Sequence, residues 1–331
     1  MCKGIKLLLA FFVIILISSF SFFSCSDQSI EIEQTLAVSE TMTNQQSSAE
    51  VEKTEEASME IIVTIPPLAE FVKAVAAEKA NVTIMVPPGS SPHTYEPSRS
   101  QLVNLSNASM YAKVGTPIEF EISWLSKIQE MNKDIIFVDC SKNIDLIESK
   151  PVHEHDEKAC DQKDHSHEGL KDPHIWLSLQ NAALMVENIY GAIISVDPSN
   201  KDYYKSNKMD YIEEIIGLDA EIAAMLDNIE NKKFMVYHDA WTYFAKDYDL
   251  IQIPIERDGK EPTPKGIKEL IDQAREEEIN VIFASPELNT ASAEVIAQEI
   301  GAAVVLISPL EQDYLDNMRN ISKEISKYLG Q

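Results

Sequence analysis

The sequence predicts an α/β fold with two lobes, each a parallel sheet flanked by helices, joined by one long rigid helix. Short apolar runs alternate with stretches of helical period, and this order occurs twice along the chain. Between the two repeats, residues 199–229 are polar apart from one stripe of apolar residues at helical spacing. Strand–helix alternation favours parallel strands with right-handed crossovers, so we expect one parallel sheet in each lobe.

The first repeat forms a predicted N-terminal lobe over residues 59–198, which includes a histidine-rich loop at 151–171. Its strands are apolar enough to be covered by helices on both faces. The predicted strands are EIIVTI (60–65), NVTIMV (81–86), MYAKVG (110–115) and DIIFVD (134–139). Apolar residues at helical spacing between them predict helices over 68–80, 98–109 and 118–132.

Residues 199–229 are predicted to form a single linking helix. Pro198 and Ser199 suit the start of a helix. The stripe consists of Tyr204, Tyr211, Ile215, Leu218, Ile222 and Leu226. A helix of this length spans about 46 Å, enough to cross both lobes. We therefore expect a stiff connection with little opening and closing.

The second repeat forms a predicted C-terminal lobe over residues 230–331. Its predicted strands are FMVYHD (234–239), LIQIPI (250–255), NVIFAS (280–285) and AVVLIS (303–308). Its predicted helices cover 240–248, 263–278 and 291–301. The two lobes thus repeat one architecture.

Residues 1–24 have the parts of an export signal. Lys3 and Lys6 precede an apolar run, and a serine-rich stretch follows. An uncleaved membrane helix is the alternative, although the run is short for a bilayer. The stretch resembles a bacterial lipoprotein signal, which implies that Cys25 becomes the lipidated first residue. The predicted location is extracytoplasmic, with a lipid anchor in the cell membrane.

Residues 25–58 are rich in Ser, Thr, Glu and Gln, and we expect a disordered acidic tether there. The whole chain has 28 Lys plus Arg against 54 Asp plus Glu, a formal net charge of −26. Such a charge repels phosphate backbones, so no nucleic-acid partner is expected. Of the remaining cysteines, Cys140 and Cys160 either form a disulfide or stay as a buried and a solvated thiol.

Three histidines occupy equivalent places in the predicted topology. His93 follows the second strand, His174 lies in the connection after the fourth, and His238 stands at the end of the fifth. Ligands of open parallel sheets bind beyond the carboxyl ends of the strands, so these side chains are expected to face one cleft. Asp239 is a candidate hydrogen-bond acceptor for the ring of His238. Three imidazoles favour zinc or another late transition metal over cations that prefer oxygen.

Five stretches of the chain carry a more specific signal. They are PPGSSPHTYEPSRSQL, DPHIWLSLQNA, VYHDAWTYFAKDYDL, GKEPTPKGIKELI and IFASPELNTASAEVIAQEIGAAVVLISPL. In this order they resemble the motifs of the metal-binding proteins of zinc and manganese ABC transporters, a family with zinc-binding and adhesin-type lipoproteins. The likeness covers residues 59–331.

The resemblance implies a rigid two-lobed protein that holds a divalent ion and delivers it to a membrane permease served by an ATPase. The ligands it implies are His93, His174 and His238. A carboxylate is typical at the third position of manganese-binding members, so His238 indicates Zn²⁺ and makes Mn²⁺ the alternative. A monomer that catalyses no reaction is expected.

The sequence does not decide which group supplies the fourth metal ligand. Family members commonly have an aspartate before the last Pro-Leu, where this chain has Ser308. Glu287 is the candidate for this place. A water molecule or a chloride ion is the alternative, followed by Glu311 or Asp313.

The histidine-rich loop precedes His174 and resembles insertions of zinc-specific family members. Its histidines are His153, His155, His165 and His167. Imidazoles and carboxylates on a flexible segment bind zinc weakly, because ordering the segment costs entropy. We hypothesise an auxiliary zinc-gathering or zinc-sensing loop; the alternative is a solvated insertion without a role.

Two other classes of protein are considered. A zinc hydrolase requires a metal-bound water and a general base, often within an HExxH motif, and the chain has no such motif. An adhesin-type surface lipoprotein is the second alternative, but surface display alone does not require three histidines at one cleft. Nothing resembles a phosphate-binding loop, so the ATPase is expected to be a separate subunit.

Overall fold

A computed structural model of the chain describes residues 58–149, 171–256 and 260–330. The predicted signal, Cys25, nearly all of the predicted tether, Cys160 and the four histidines between 153 and 167 lie outside the described residues. Cys140 is completely buried at the end of a strand. None of the described helices combines the length and the apolar character needed to cross a bilayer.

The first sheet has four parallel strands in the order β2-β1-β3-β4. The strands are β1 (Met59–Val63), β2 (Ala80–Ile84), β3 (Met110–Lys113) and β4 (Ile136–Asp139). The helices between them are α1 (Pro66–Ala76), α2 (Arg99–Leu105) and α3 (Glu119–Met131). All four predicted strands are confirmed, although three of them end two residues earlier than predicted.

The second sheet repeats this topology, with four parallel strands in the order β6-β5-β7-β8. The strands are β5 (Lys233–Val236), β6 (Ile251–Pro254), β7 (Val281–Ala284) and β8 (Ala303–Leu306). The helices between them are α6 (Thr242–Asp247), α7 (Pro264–Glu276) and α8 (Ala291–Ile300). The predicted fold class, two lobes with parallel sheets, is confirmed.

Two further helices are present that strand–helix alternation did not indicate. They are α4 (Leu179–Val196) and α9 (Tyr314–Leu329). Helix α4 follows the segment that contains His174, and α9 follows the last strand. Neither helix connects two strands of one sheet, so the alternating pattern gave no reason to expect them.

The linking helix α5 (Lys201–Leu226) lies between the two repeats, preceded by a 3₁₀ turn at Pro198–Asn200. Its buried residues are the six of the predicted stripe. At 26 residues it is about 39 Å long. It packs against α1 and α4, which precede it in the sequence, and against α9, which follows it. A single helix therefore contacts elements of both lobes.

A set of buried hydrogen bonds also ties the lobes together. Glu70 of α1 accepts hydrogen bonds from the Tyr211 hydroxyl of α5, at 2.5 Å, and from the backbone N–H of Tyr314 in α9. The Tyr314 hydroxyl donates to the carbonyl of Trp176 at 2.6 Å. The Trp176 indole N–H donates to the carbonyl of Pro309 at 2.7 Å. These bonds join residues more than 100 positions apart and fix the lobes relative to each other beside the cleft.

Candidate metal centre

The structure brings His93, His174 and His238 together. Their metal-binding atoms all lie within 4.8 Å of one another. His93 lies in the loop between β2 and α2, His174 just before a 3₁₀ turn that leads into α4, and His238 two residues beyond β5. His93 and His238 thus follow the carboxyl ends of strands, one in each sheet, and His174 comes from the long connection after β4.

Each imidazole is hydrogen-bonded through Nδ1 to a carboxylate. Nδ1 of His93 lies 2.6 Å from Glu119, Nδ1 of His174 lies 2.9 Å from Asp172, and Nδ1 of His238 lies 2.8 Å from Glu256. Carboxylate partners of this kind orient metal-binding imidazoles and raise their basicity. Because Nδ1 of each ring is engaged, Nε2 is the atom left to bind a metal ion that enters the site.

The Nε2 atoms of His174 and His238 are only 3.3 Å apart. A neutral imidazole that donates from Nδ1 carries its lone pair on Nε2. Two lone pairs at this distance repel each other, and a cation between them removes the repulsion. The arrangement therefore suits a metal ion that accepts electron pairs from nitrogen.

Burial favours the neutral form of the His174 ring, which is the form that metals require. Desolvation lowers the pKa of His174 below its usual value, and the neighbouring imidazoles lower it further, while Asp172 opposes both effects. Burial alone raises the pKa of Asp172, but the hydrogen bond and the charge interaction with His174 bring it below its usual value. A neutral imidazole beside an ionised carboxylate is the form that binds a divalent metal.

The carboxylate behind His238 differs from the one expected from the sequence. Glu256 accepts from His238, whereas Asp239 accepts a hydrogen bond from the side-chain amide of Gln252 at 2.5 Å. Glu256 follows β6, and β6 pairs in parallel with β5. His238 and Glu256 therefore meet beyond the carboxyl ends of these two strands. The pairing of β5 with β6, which the sequence alone did not reveal, brings this pair together.

Glu119 and Asp172 were also not singled out from the sequence. Asp172 lies two residues before His174 and also accepts a hydrogen bond from the backbone N–H of His174, at 2.9 Å. Because only one residue stands between Asp172 and His174, this pair could have been predicted from the sequence. Glu119 is the first residue of α3 and lies 26 positions from His93. Only the packing of α3 beside the loop after β2 brings the two together.

A small cavity of about 20 Å³, the space of roughly one water molecule, opens between the imidazoles. Its lining is completed by Ser91, Pro92, Trp176, Ser285, Glu287, Leu288, Pro309 and Leu310. Most of these are apolar groups, which exclude water and strengthen the interaction between an ion and its ligands. The cavity has room for a single ion.

Glu287 lines this cavity but does not belong to the group of ligand atoms within 4.8 Å, which among the described residues comprises the three histidines. Its two carboxylate oxygens accept hydrogen bonds from the hydroxyls of Ser285 and Ser308. Ser308, at the position where an aspartate is common, thus holds the Glu287 carboxylate at the edge of the site. Glu311 and Asp313 are exposed.

The chain is similar to several known proteins. The family model described as "Zinc-uptake complex component A periplasmic" matches residues 61–328. The high-affinity zinc uptake system protein ZnuA of Bacillus subtilis is 31% identical over 257 residues, covering 76% of this chain and 79% of that protein. The zinc-binding lipoprotein AdcA of Streptococcus pneumoniae is 28% identical over 264 residues, covering 78% of this chain. The chain spans about half of AdcA, 52% of its length.

Solved structures show the same fold. A crystal structure of ZnuA is 34% identical and superposes with a TM-score of 0.75, covering 82% of this chain and 99% of that one. The laminin-binding protein Lmb of Streptococcus agalactiae, described as a bifunctional protein with adhesin and metal-transporting activity, is 25% identical with a TM-score of 0.69. That alignment covers 82% of this chain and 100% of Lmb.

Proposed function

This chain belongs to the family of periplasmic zinc-uptake component A proteins, and we propose that it captures Zn²⁺ between its lobes for an ABC transporter. The ion is its cargo, delivered to a membrane permease that a separate ATPase drives. The single observation that carries this proposal is the convergence of three imidazoles, each with a carboxylate behind Nδ1. Their Nε2 atoms are the proposed zinc ligands.

The ligand set favours Zn²⁺ over Mn²⁺. Zinc binds imidazole nitrogen in tetrahedral sites, whereas manganese prefers carboxylate and carbonyl oxygen. In this site the carboxylates of Asp172 and Glu256 lie behind the rings, so three nitrogen atoms and one carboxylate, that of Glu287, face the cavity. A manganese carrier is therefore the less favoured reading. The likeness to Lmb supports surface adhesion as a second candidate role, separate from metal capture.

We propose that no reaction is catalysed. The cavity has room for about one water molecule, and its walls are mainly apolar. A carrier of this kind acts as a monomer that meets its permease at the membrane. We propose that Cys25 carries the lipid anchor and that residues 25–58 allow the lobes, residues 59–198 and 230–331, to stay near the membrane.

Zinc titration of the full chain tests the function and the role of the histidine-rich loop together. We expect one tightly bound ion plus weaker binding, no displacement by equimolar Mn²⁺, and no hydrolytic turnover. A variant that lacks residues 153–167 is expected to keep the tight ion and to lose the weaker binding, because the loop imidazoles are removed. Competition with a chromogenic chelator and elemental analysis measure both quantities.

The absence of a tight ion in the full chain would refute the proposed function. An identical stoichiometry with and without the loop would instead show that the loop is a solvated insertion.

Glu287 is the proposed fourth ligand, with water or chloride as the alternative. Replacing Glu287 by alanine is expected to weaken zinc binding about tenfold or more, because a carboxylate at the edge of the site is lost. The measurement is chelator competition at fixed pH. Glu276→Ala, which changes an exposed carboxylate of α7, is the control. Unchanged affinity of the Glu287→Ala variant would leave the fourth position to a water or an anion.

A further inference from the structure

We propose that Glu119 is the positioning residue that controls how fast zinc leaves the site, with His93 as the ligand that moves away first. This inference rests on the proposed function and adds a route of exchange to it. It starts from the unequal burial of the three pairs of imidazole and carboxylate, which are otherwise built alike.

The three pairs differ in their access to solvent. The His174 and Asp172 side chains are 6% and 5% exposed, and those of His238 and Glu256 are 13% and 7% exposed. The His93 and Glu119 side chains are 25% and 56% exposed. Two ligands are therefore fixed inside the protein, and the third faces the solvent together with its partner.

The contacts around the buried His174 and around the more exposed His93 also differ. The backbone N–H of His174 is held by Asp172, and the His174 ring lies 5.4 Å from the buried Trp176 ring. His93 lies outside helices and strands, and its backbone N–H contacts only the Ser91 hydroxyl, at 3.3 Å, among the described residues. Backbone hydrogen bonds from Thr94 and Tyr95 to the Ser91 carbonyl hold this turn, whereas among the described residues it is Glu119 that holds the His93 ring by a hydrogen bond.

Glu119 provides that hydrogen bond from a rigid element. It is the first residue of α3, and the following residue, Phe120, donates its backbone N–H to the Pro92 carbonyl at 3.1 Å. The start of α3 is thereby fixed against the loop that carries His93. A carboxylate is also favoured in the first turn of a helix, where the N-terminal end of the dipole is positive.

The contact between Glu119 and His93 determines where Nε2 of His93 points. At 2.6 Å it is in the range of strong, charge-assisted hydrogen bonds. With the bond in place, Nε2 is directed toward the other two imidazoles. Without it, the ring is free to turn into solvent, and a bound ion retains two of its three nitrogen ligands. Dissociation then proceeds past His93, on the exposed side of the site.

The experiment measures the zinc dissociation rate of the full chain by stopped-flow transfer to an excess of a chromogenic chelator. We expect Glu119→Ala to accelerate dissociation about 10- to 100-fold, the range found when partners of metal ligands are removed. Glu119→Gln is expected to lie between Glu119→Ala and wild type, because its amide oxygen still accepts from Nδ1 but carries no charge. Glu130→Gln removes a charge from an exposed position near the other end of the same helix and is expected to match wild type.

The melting temperature of the zinc-free protein separates positioning from a structural role. Glu119 is exposed, and its place in the first turn of α3 stabilises the helix only modestly, so we expect the Glu119 variants to melt within a few degrees of the Glu130→Gln control. Equal dissociation rates for Glu119→Ala and Glu130→Gln would overturn this inference while leaving zinc capture intact. Failure of the wild-type chain to bind zinc would overturn the inference and the proposed function together.

Discussion

Replacing His238 by alanine is expected to reduce zinc affinity by more than the roughly 10- to 100-fold caused by losing a partner of a ligand. One of three imidazoles that face the ion is removed, and the carboxylate of Glu256 is left in a buried position without its ring N–H. Competition against a zinc chelator gives the affinity. His153→Ala is the matched control, because it removes an imidazole that lies outside the proposed tight site.

The zinc-free His238→Ala protein is expected to remain folded. Loss of the hydrogen bond to Glu256 costs about 1–3 kcal/mol, a part of the stability of a typical domain. Circular dichroism of the zinc-free variant tests this point. Zinc affinity of His238→Ala equal to that of His153→Ala would contradict the proposed site.

Tyr314→Ala is expected to lower the free energy of unfolding by about 3–5 kcal/mol, the usual cost of truncating a buried aromatic residue. Tyr314 is 1% exposed, and its ring packs edge-on against Phe71 of α1 with centroids 4.9 Å apart. Its hydroxyl holds the carbonyl of Trp176, which lines the metal cavity. One side chain therefore stabilises the contact between lobes and one wall of the site.

Denaturant unfolding of the zinc-free protein measures this effect. Tyr314→Phe is the matched control: it keeps the ring and loses one hydrogen bond, so we expect a loss of about 1 kcal/mol. A loss in Tyr314→Ala no larger than in Tyr314→Phe would show that the aromatic contact does not brace the lobes.

The sequence predicted the eight strands because each is a short apolar run bounded by polar residues. Strand ends were less certain, since residues such as Tyr237 and His238 continue the apolar or β-favouring pattern beyond β5 but leave the ladder to enter the site. The apolar pattern of a sequence indicates which residues are buried. The end of a strand depends instead on where its hydrogen bonds to the neighbouring strand stop.

Helices α4 and α9 show a different limit. The buried residues of α9 include Tyr314, Met318, Ile321, Ile325 and Leu329, at the spacing of three and four that identified the stripe of α5. The same signal was therefore present in the sequence. The prediction from strand–helix alternation missed α9, because α9 follows the last strand and does not connect two strands.

The three histidines could be placed from topology, because the carboxyl ends of parallel strands face one cleft. The partners behind them depend on sheet order and helix packing. Glu256 required the pairing of β5 with β6, and Glu119 required the position of α3. Hydrogen bonds from Ser285 and Ser308 to Glu287 join residues that follow β7 and β8, and those depend on the pairing of these two strands.

The most direct test is an anomalous-scattering map at the zinc absorption edge from crystals of the zinc-loaded chain. We predict one strong peak about 2.0–2.1 Å from each of the Nε2 atoms of His93, His174 and His238. A strong peak elsewhere, with these three nitrogen atoms directed away from it, would contradict the proposed zinc site.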